Sequence, residues 1–171
     1  KNKKLHSKLG LYLSGMIDSM SSRGPDSAGF AIYNNLKSKK IYKYSLSFNS
    51  NTSIKSFEIE SIKHFNDLQF TNVSDHTIVY SSALPKKFIP YLKSNFKNIS
   101  IVGYGKSIEI FKQVGNPKKV VKKFKLDKFS GSHGIGHTRM ATESAITTEG
   151  SHPYSTGEDE CLVHNGSLSN H

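Results

Sequence analysis

Apolar residues recur at helical spacing near the start of the chain. Positions 9, 12, 13, 16, 17 and 20 are all apolar, which predicts an amphipathic helix over roughly residues 7–21. The segment Arg23-Gly24-Pro25 ends that helix. Two strands follow, at residues 28–33 and 41–48, joined by a lysine-rich connection that faces solvent.

The middle of the chain alternates short helical and extended patterns. Pro85 and Pro117 each suit the first turn of a helix, and the run between residues 107 and 114 predicts a further short helix. This alternation of patterns predicts a small inserted α/β lobe at about 49–130, in which no catalytic or binding motif is evident. Its predicted elements are helices at 54–65, 107–114 and from Pro85 and Pro117, and strands at 77–80 and 98–104.

The amino-acid composition changes from residue 131 onward, where Gly, Ser, Thr and His are frequent. Short strands are predicted at about 134–138 and 160–164. Five of the eight histidines of the chain fall in this region. Loops of small polar residues at strand ends are where binding and catalytic groups concentrate, so candidate chemistry is expected here.

Length and composition predict one soluble, cytoplasmic domain. The 171 residues suffice for one sizeable core, and no apolar run approaches the ~18 residues of a membrane span. The polar start of the sequence, KNKKLHSK, is not typical of a signal peptide, so none is expected. Cys161 is the single cysteine, which excludes an internal disulfide and agrees with a reducing compartment.

The net charge of +11 and a pI near 9.6 permit nucleic-acid binding. The lysines are scattered, however, and only two of the 24 basic residues are arginines, Arg23 and Arg139. Arginine is the residue that forms forked contacts with phosphates and bases. Its absence from the basic runs favours a solvated surface over a nucleic-acid interface.

The histidines and the cysteine each have a simpler interpretation than catalysis. His133 and His137 could bind zinc, but no H-E-x-x-H pattern accompanies them, so no metal is expected. Structural hydrogen bonding is the favoured interpretation of His137 and His164. Cys161 lies in a predicted strand, without a helix N-terminus or an evident partner to activate it, which favours a buried, unreactive thiol.

The tripeptide His164-Asn165-Gly166 ends the last predicted strand. An Asn side-chain amide beside a flexible backbone N–H can supply the two converging donors of an oxyanion hole. An ordinary Asn-Gly turn has the same sequence. The tripeptide alone does not separate these alternatives.

Four motifs together resemble a known family. The segments RGPDSAG, GHTRMAT, HP and VHNG occur in this order, as in the class II glutamine amidotransferases. These enzymes are N-terminal-nucleophile hydrolases, so the resemblance implies an α+β fold with an αββα sandwich. The match covers about residues 5–48 and 131–171. The longer runs look closest to the glutamate-synthase-like amidotransferase component of N-methylglutamate synthase, which is also called methylamine–glutamate N-methyltransferase.

The resemblance implies roles for individual residues. Arg139 would bind the α-carboxylate of glutamine, Thr142 would support the same end of the substrate, and His152 would line the glutamine pocket. Asn165 and Gly166 would form the oxyanion hole. Arg23 matches the arginine of the family's first motif, where it would give structural support.

One departure from the family pattern concerns the nucleophile. The family uses an N-terminal cysteine in a Cys-Gly-Ile-Val-Gly strand that precedes the first helix, whereas this sequence starts with Lys1. The acidic residue that binds the glutamine α-amine would lie beyond His171. We therefore expect a domain truncated at both ends and inactive as it stands.

The implied function is hydrolysis of glutamine to glutamate and ammonia for a glutamate-synthase-like or N-methylglutamate-synthase complex. Glutamine and the ammonia-accepting synthase subunits of a hetero-oligomer are the expected partners, without nucleic acid or membrane. No cofactor is expected in this domain, and flavin and iron–sulfur centres only in partner subunits. Two alternatives stay open: an amidotransferase serving a sugar-phosphate or phosphoribosyl acceptor, and a non-enzymatic basic binding module.

Overall fold

A computed structural model describes residues 3–34, 40–49, 53–141 and 145–166. Four α-helices and nine strands account for most of this part of the chain, with 3-10 turns at Lys3–Lys8 and Leu126–Lys128. The helices are α1 (Leu9–Ser19), α2 (Ile54–Ile62), α3 (Pro85–Asn95) and α4 (Pro117–Lys123). The strands are β1 (Ser27–Tyr33), β2 (Tyr42–Phe48), β3 (Gln69–Val73), β4 (His76–Ser81), β5 (Ile99–Gly105), β6 (Ile108–Val114), β7 (His133–Arg139), β8 (Tyr154–Gly157) and β9 (Glu160–Leu162).

The strands form three antiparallel sheets. Sheet A has the order β6-β1-β7, sheet B the order β3-β4-β2-β5, and sheet C is the hairpin β8-β9. Strand β1 is central in sheet A and its residues are almost all buried. The two motifs RGPDSAG and GHTRMAT therefore come to lie side by side, because β1 carries part of the first and β7 part of the second.

Helices α1 and α4 cover one face of sheet A. The amphipathic period predicted near the start of the chain places Leu13 and Ile17 on the buried face of α1. They pack with Phe30 of β1, Phe111 of β6 and Phe124 at the end of α4. Phe30 stacks on Phe111 at a centroid distance of 5.4 Å, so this aromatic layer fixes the helices on the sheet.

Helices α2 and α3 cover one face of sheet B. Phe57 of α2 and Phe88 of α3 are fully buried against Tyr44 and Leu46 of β2. The Tyr44 hydroxyl donates to the Ala83 carbonyl oxygen at 2.6 Å, which satisfies the one polar atom that this ring brings into the core.

The other faces of sheets A and B meet through a smaller apolar cluster. Ala31 of β1 and Ile110 of β6 pack with Val102 of β5, and the Ile110 N–H donates to the Ser45 hydroxyl of β2 at 2.9 Å. The order helices, sheet, sheet, helices is compatible with the predicted αββα sandwich. The predicted α+β class is confirmed.

The short helix predicted over residues 107–114 is wrong, because this segment is strand β6. Its apolar positions 108, 110, 111 and 114 fit helical spacing as well as alternation. Pairing with β1 along seven residues decides the outcome, since a long-range ladder overrides local propensity. Strands β3 and β8 were not predicted, and β9 ends at Leu162 rather than at His164.

The predicted inserted lobe at about 49–130 remains a prediction. Strands from this region share their sheets with the flanking segments: β6 pairs with β1, and β4 and β5 both pair with β2. Within the described ranges, no helix is long and apolar enough to cross a membrane.

Candidate functional site

The two main motifs form one backbone unit. Ser27 of β1 pairs with Arg139 of β7, and Gly29 pairs with His137. Just before β1, the Asp26 N–H donates to the Arg139 carbonyl oxygen at 3.1 Å, and the Asp26 carboxylate accepts from the Ala141 N–H at 2.8 Å. The acidic residue of the first motif thereby fixes the backbone that follows Arg139.

A loop from Thr147 to Pro153 crosses sheet A at Gly29. A Cβ atom on Gly29 would collide with the His152 carbonyl oxygen and would lie 2.5 Å from the Lys112 Cβ. Gly29 pairs with Lys112 on one side and with His137 on the other. Only glycine leaves room for the loop here, which puts His152 over the middle of the sheet.

The backbone carbonyls of this loop are held by side chains on sheet A and on β8. Arg139 Nη1 donates to the Gly150 carbonyl oxygen at 3.0 Å, and the Tyr154 hydroxyl donates to the same oxygen at 2.9 Å. Lys112 Nζ donates to the carbonyl oxygens of Glu149 at 3.0 Å and Ser151 at 2.8 Å. The predicted substrate-binding residues Arg139 and His152 are therefore brought together around one loop.

His152 is buried, with 7% of its surface exposed. Its ring lies 4.2 Å from the His137 ring and 4.5 Å from the Tyr154 ring, measured between centroids. Both His152 ring nitrogens and His137 Nδ1 lack a hydrogen-bond partner among the residues that the structure describes. Buried polar atoms are rarely left so, which marks this spot as a candidate binding site.

The charges around His152 are positive. Burial first, and then the neighbouring His137, Arg139, Lys112 and His164 side chains, lower the pKa of His152 to about 4. Burial also lowers the pKa of His137, with contributions from Arg139 and His164. At neutral pH both imidazoles are uncharged and sit beside cations, an arrangement suited to a ligand with an anionic group and uncharged polar groups.

The predicted oxyanion pair directly follows His164 in the chain. Asn165 and Gly166 are exposed and follow β9. Gly166 has φ 141°, a conformation that glycine adopts and other residues avoid. The preceding His164 lowers the pKa of both His137 and His152, so the VHNG segment comes close to the buried histidines.

Two predicted site residues are not joined to the cluster. Arg23 is exposed after α1, and its guanidinium makes no hydrogen bond within the described ranges, although its backbone N–H donates to the Met20 carbonyl oxygen at 3.0 Å. Thr142 lies outside the described residues. The supporting roles of both residues remain predictions.

Cys161 lies in β9 with its sulfur 3.5 Å from the Tyr33 hydroxyl oxygen. Burial raises the pKa of the thiol, so it stays protonated at neutral pH and is a weak nucleophile. Cys161 is half-buried rather than fully buried, and its interpretation as an unreactive thiol remains a prediction. His133, considered with His137 as a zinc ligand, instead stacks on Tyr33 at 4.1 Å, and the described residues contain no cluster of three metal-binding side chains.

Three residues of the cluster were missed by the sequence interpretation. Asp26 could have been found, since it lies inside the quoted RGPDSAG motif. Tyr154 follows the HP dipeptide directly. Lys112 had no usable signal, because it lies in the segment that was wrongly predicted to be helical and reaches the loop only through the β6–β1 register.

Comparison with known proteins gives relatives of one kind, although no family model matches the chain. The chain is 43% identical to the glutamine amidotransferase-like protein GlxB of Rhizobium meliloti over 172 residues, covering all of this chain and 57% of that protein. It is 28% identical to a putative glutamine amidotransferase of Methanothermobacter thermautotrophicus, again over the whole chain and 60% of the relative. These homologues support a glutamine amidotransferase family.

A shorter match points the same way. A glutamine–fructose-6-phosphate aminotransferase of Methanococcus maripaludis is 39% identical over 66 residues, which is 38% of this chain and 11% of that protein. The chain thus spans less than two thirds of each of these amidotransferases. The similarity to the first two extends through the strands, loop and hairpin that build the cluster.

Proposed function

We propose that this chain is the glutamine-hydrolysing part of a class II glutamine amidotransferase, which converts glutamine and water to glutamate and ammonia. The single observation that carries the proposal is the meeting of Arg139 with the buried His152, whose ring nitrogens have no partner in the described part of the chain. Similarity to glutamine amidotransferase-like proteins over the full chain supports it independently.

Arg139 is proposed to bind the α-carboxylate of glutamine. Its bond to the Gly150 carbonyl oxygen orients the guanidinium at the end of β7, and the backbone around it is fixed by Asp26. A planar fork held in this way can bind a carboxylate through two parallel hydrogen bonds, which a lysine cannot do.

His152 is proposed to line the pocket for the remainder of the substrate. Because its pKa is lowered to about 4, its imidazole is neutral at pH 7 and carries one donor and one acceptor. A neutral ring can hydrogen-bond an uncharged carboxamide without adding repulsion toward the Arg139 and Lys112 cations. The positive surroundings favour the negative end of glutamine.

Asn165 and Gly166 are proposed to stabilise the reaction intermediate. The Asn165 side-chain amide and the Gly166 N–H would donate to the oxygen that becomes negative when the glutamine carboxamide is attacked. Their exposure beside His164, together with the glycine-type backbone at residue 166, agrees with a site that contacts substrate.

The proposed reaction is acyl transfer to a cysteine. Cys161 is unsuited to it, so we propose an N-terminal cysteine as the nucleophile, as the family resemblance implies. The thiolate attacks the carboxamide, its own α-amine takes and returns the proton, and ammonia leaves. Water then breaks the thioester and releases glutamate with the free thiol.

We propose that the ammonia passes to synthase subunits of a hetero-oligomer related to N-methylglutamate synthase, with flavin and iron–sulfur centres confined to those subunits. The match to an aminotransferase acting on fructose 6-phosphate favours the alternative of a sugar-phosphate acceptor. The cytoplasmic location remains a prediction from the sequence. Glutamine-dependent product formation, measured once with the synthase subunits present and once with a sugar phosphate, would separate the two assignments.

The test of the proposal uses the natural full-length protein. We expect glutamate release from glutamine, and Asn165→Ala should lower kcat about 10²–10³-fold with little change in KM. Asn66→Ala, at an exposed turn after α2, is the matched control and should behave as wild type. Unchanged turnover in Asn165→Ala would overturn the assignment of the oxyanion hole.

A further inference from the structure

Lys112 is a buried cation that faces the candidate site. It lies in the middle of β6 with 4% of its surface exposed. Its ammonium donates to the carbonyl oxygens of Glu149 and Ser151, and it lies 5.1 Å from the centre of the Tyr154 ring. Removing an ammonium from water is costly. The two carbonyl oxygens and the Tyr154 ring offset that cost for Lys112.

The position of Lys112 is defined by the register of sheet A. Lys112, Gly29 and His137 lie in one row across strands β6, β1 and β7. The loop crosses this row with the His152 carbonyl over Gly29 and the His152 ring on His137. Lys112 therefore holds the loop on one side of Gly29 while His137 contacts it on the other.

The carbonyls that Lys112 binds alternate with the one that Arg139 binds. Lys112 donates to the carbonyl oxygens of residues 149 and 151, and Arg139 donates to the carbonyl oxygen of Gly150 between them. Two cations from opposite edges of sheet A thus bind three successive carbonyl groups. Displacing either cation would remove side-chain hydrogen bonds from the backbone immediately before His152.

We infer that Lys112 is a positioning residue of this site: its ammonium holds residues 149–151 on β6, so that the Gly150 carbonyl faces Arg139 and the His152 ring lies on His137. The consequence for glutamine binding rests on the proposed function, whereas the consequence for the loop does not. A neutral side chain of the same length would fill the space without holding the carbonyls.

The same ammonium acts on the loop electrostatically. Burial lowers the pKa of Lys112 to about 8, and Glu149 opposes that shift. The groups that face Lys112 are Glu149 and His152 from the loop and Tyr154 from β8. Below about pH 8 the side chain is an ammonium, and its positive charge lowers the pKa of His152. Above about pH 8 the amine is neutral and binds the two carbonyl oxygens more weakly.

The test compares wild type with Lys112→Met in the full-length protein by NMR. In wild type, the carbonyl ¹³C shifts of Glu149 and Ser151 should titrate with a midpoint near pH 8, which requires no substitution and so no refolding. In Lys112→Met this titration should vanish, and the pKa of His152 should rise. Carbonyl ¹³C shifts of Glu149 and Ser151 that stay at wild-type values in Lys112→Met at pH 7, together with an unchanged His152 pKa, would overturn the inference.

The control is Lys123→Met, which removes a partly buried lysine paired with Asp75 at 2.8 Å, away from the loop. It should leave both NMR readouts at wild-type values, and a change as large as in Lys112→Met would mean that general destabilisation explains the effect. In glutaminase assays, Lys112→Met should raise KM about tenfold with less change in kcat. A wild type without glutaminase activity would overturn the proposed function and leave the carbonyl titration to decide on Lys112.

Discussion

His152 combines burial with two unpartnered ring nitrogens in the described part of the chain. Each buried polar group without a hydrogen bond costs about 1–3 kcal/mol. A bound water, an ion or a ligand can satisfy such groups. The residue therefore carries a stability cost that binding would relieve, which agrees with its proposed place in a substrate pocket.

The lowered pKa of His152 makes stability depend on pH. Its usual value of 6.5 applies to the unfolded chain, and its value in the folded protein is about 4. Between these values the unfolded state binds the extra proton, so the free energy of unfolding falls as pH falls from 6.5 to 4. The contribution is at most about 1.4 kcal/mol per pH unit and is complete below pH 4.

Urea denaturation at pH 7 and pH 5 measures this contribution. Wild type should lose more stability between the two pH values than His152→Gln does, since glutamine does not titrate. Other groups with lowered pKa values, such as His137 and Asp75, are common to both proteins and cancel in the comparison. Equal losses in the two proteins would show that His152 is not the titrating group.

At this scale, the sequence predicted the residues that lie in motifs. Arg139 and His152 came from an ordered set of short segments, and the structure brings them together. Lys112 could not be predicted, because its role depends on a strand register that links residues about forty positions apart in sequence. Lysine is abundant throughout the chain, so the residue type did not distinguish Lys112 either.

The loop can cross strand β1 closely only because residue 29 is glycine. We expect Gly29→Ala to destabilise the protein by about 2 kcal/mol or more, because the new methyl group would overlap the His152 carbonyl oxygen, a backbone atom that cannot turn away. Gly15→Ala is the matched control: it lies exposed within α1 with no atom near its Cβ position. Alanine there should stabilise the helix by up to about 1 kcal/mol.

Urea denaturation of both glycine variants supplies the measurement. A Gly29→Ala protein as stable as wild type would mean that the loop does not cross β1 at this residue. The paired Gly15→Ala result shows that any loss is specific to the crossing point and not to glycine replacement as such.

The hairpin β8-β9 depends on Asp159. Its carboxylate accepts from the backbone N–H groups of Lys106, Ser107 and Ile108 and from the Ser107 hydroxyl, at 2.7 to 3.0 Å. Burial acts to raise the pKa of Asp159, but these hydrogen bonds outweigh it and lower the pKa. The turn between β8 and β9 is thereby attached to the turn between β5 and β6.

Asp159→Asn should weaken this attachment, since an amide has one acceptor oxygen where the carboxylate has two. We expect a loss of about 1.5–3 kcal/mol, measured by thermal or urea unfolding, together with faster hydrogen exchange in β9. Asp127→Asn, at an exposed carboxylate near α4, should cost less than about 0.5 kcal/mol. Comparable losses in the two variants would contradict the role given to Asp159.

Most elements followed from local pattern, and the exceptions have a physical cause. The apolar residues of α1 recur at helical spacing, and the short segments of β1, β2 and β4 are typical of strands, so the sequence predicted these elements. The segment of β6 is compatible with either period, and only the partner strand decides. Strand β8 has four residues, which is too short for alternation to be recognised.

The whole molecule places its candidate chemistry where three sheets meet. Strands β1 and β7 present the two motifs, β6 supplies Lys112, and the hairpin β8-β9 carries the chain from His152 to His164. The α+β class and the layered order were predictable from the family resemblance. The way in which residues 147–166 fold back onto sheet A was not, because it depends on side-chain contacts to backbone carbonyls.

The central claim is that Arg139 in this setting binds the α-carboxylate of glutamine. Steady-state kinetics of the full-length protein and its Arg139→Lys variant, on glutamine and on an analogue without the α-carboxylate, test it most directly. Because hydrogen bonds to charged groups contribute about 1.5–3 kcal/mol, we predict a loss of about ten- to hundredfold in kcat/KM on glutamine, mainly through KM, and little loss on the analogue. An equal loss on both substrates would contradict the claim.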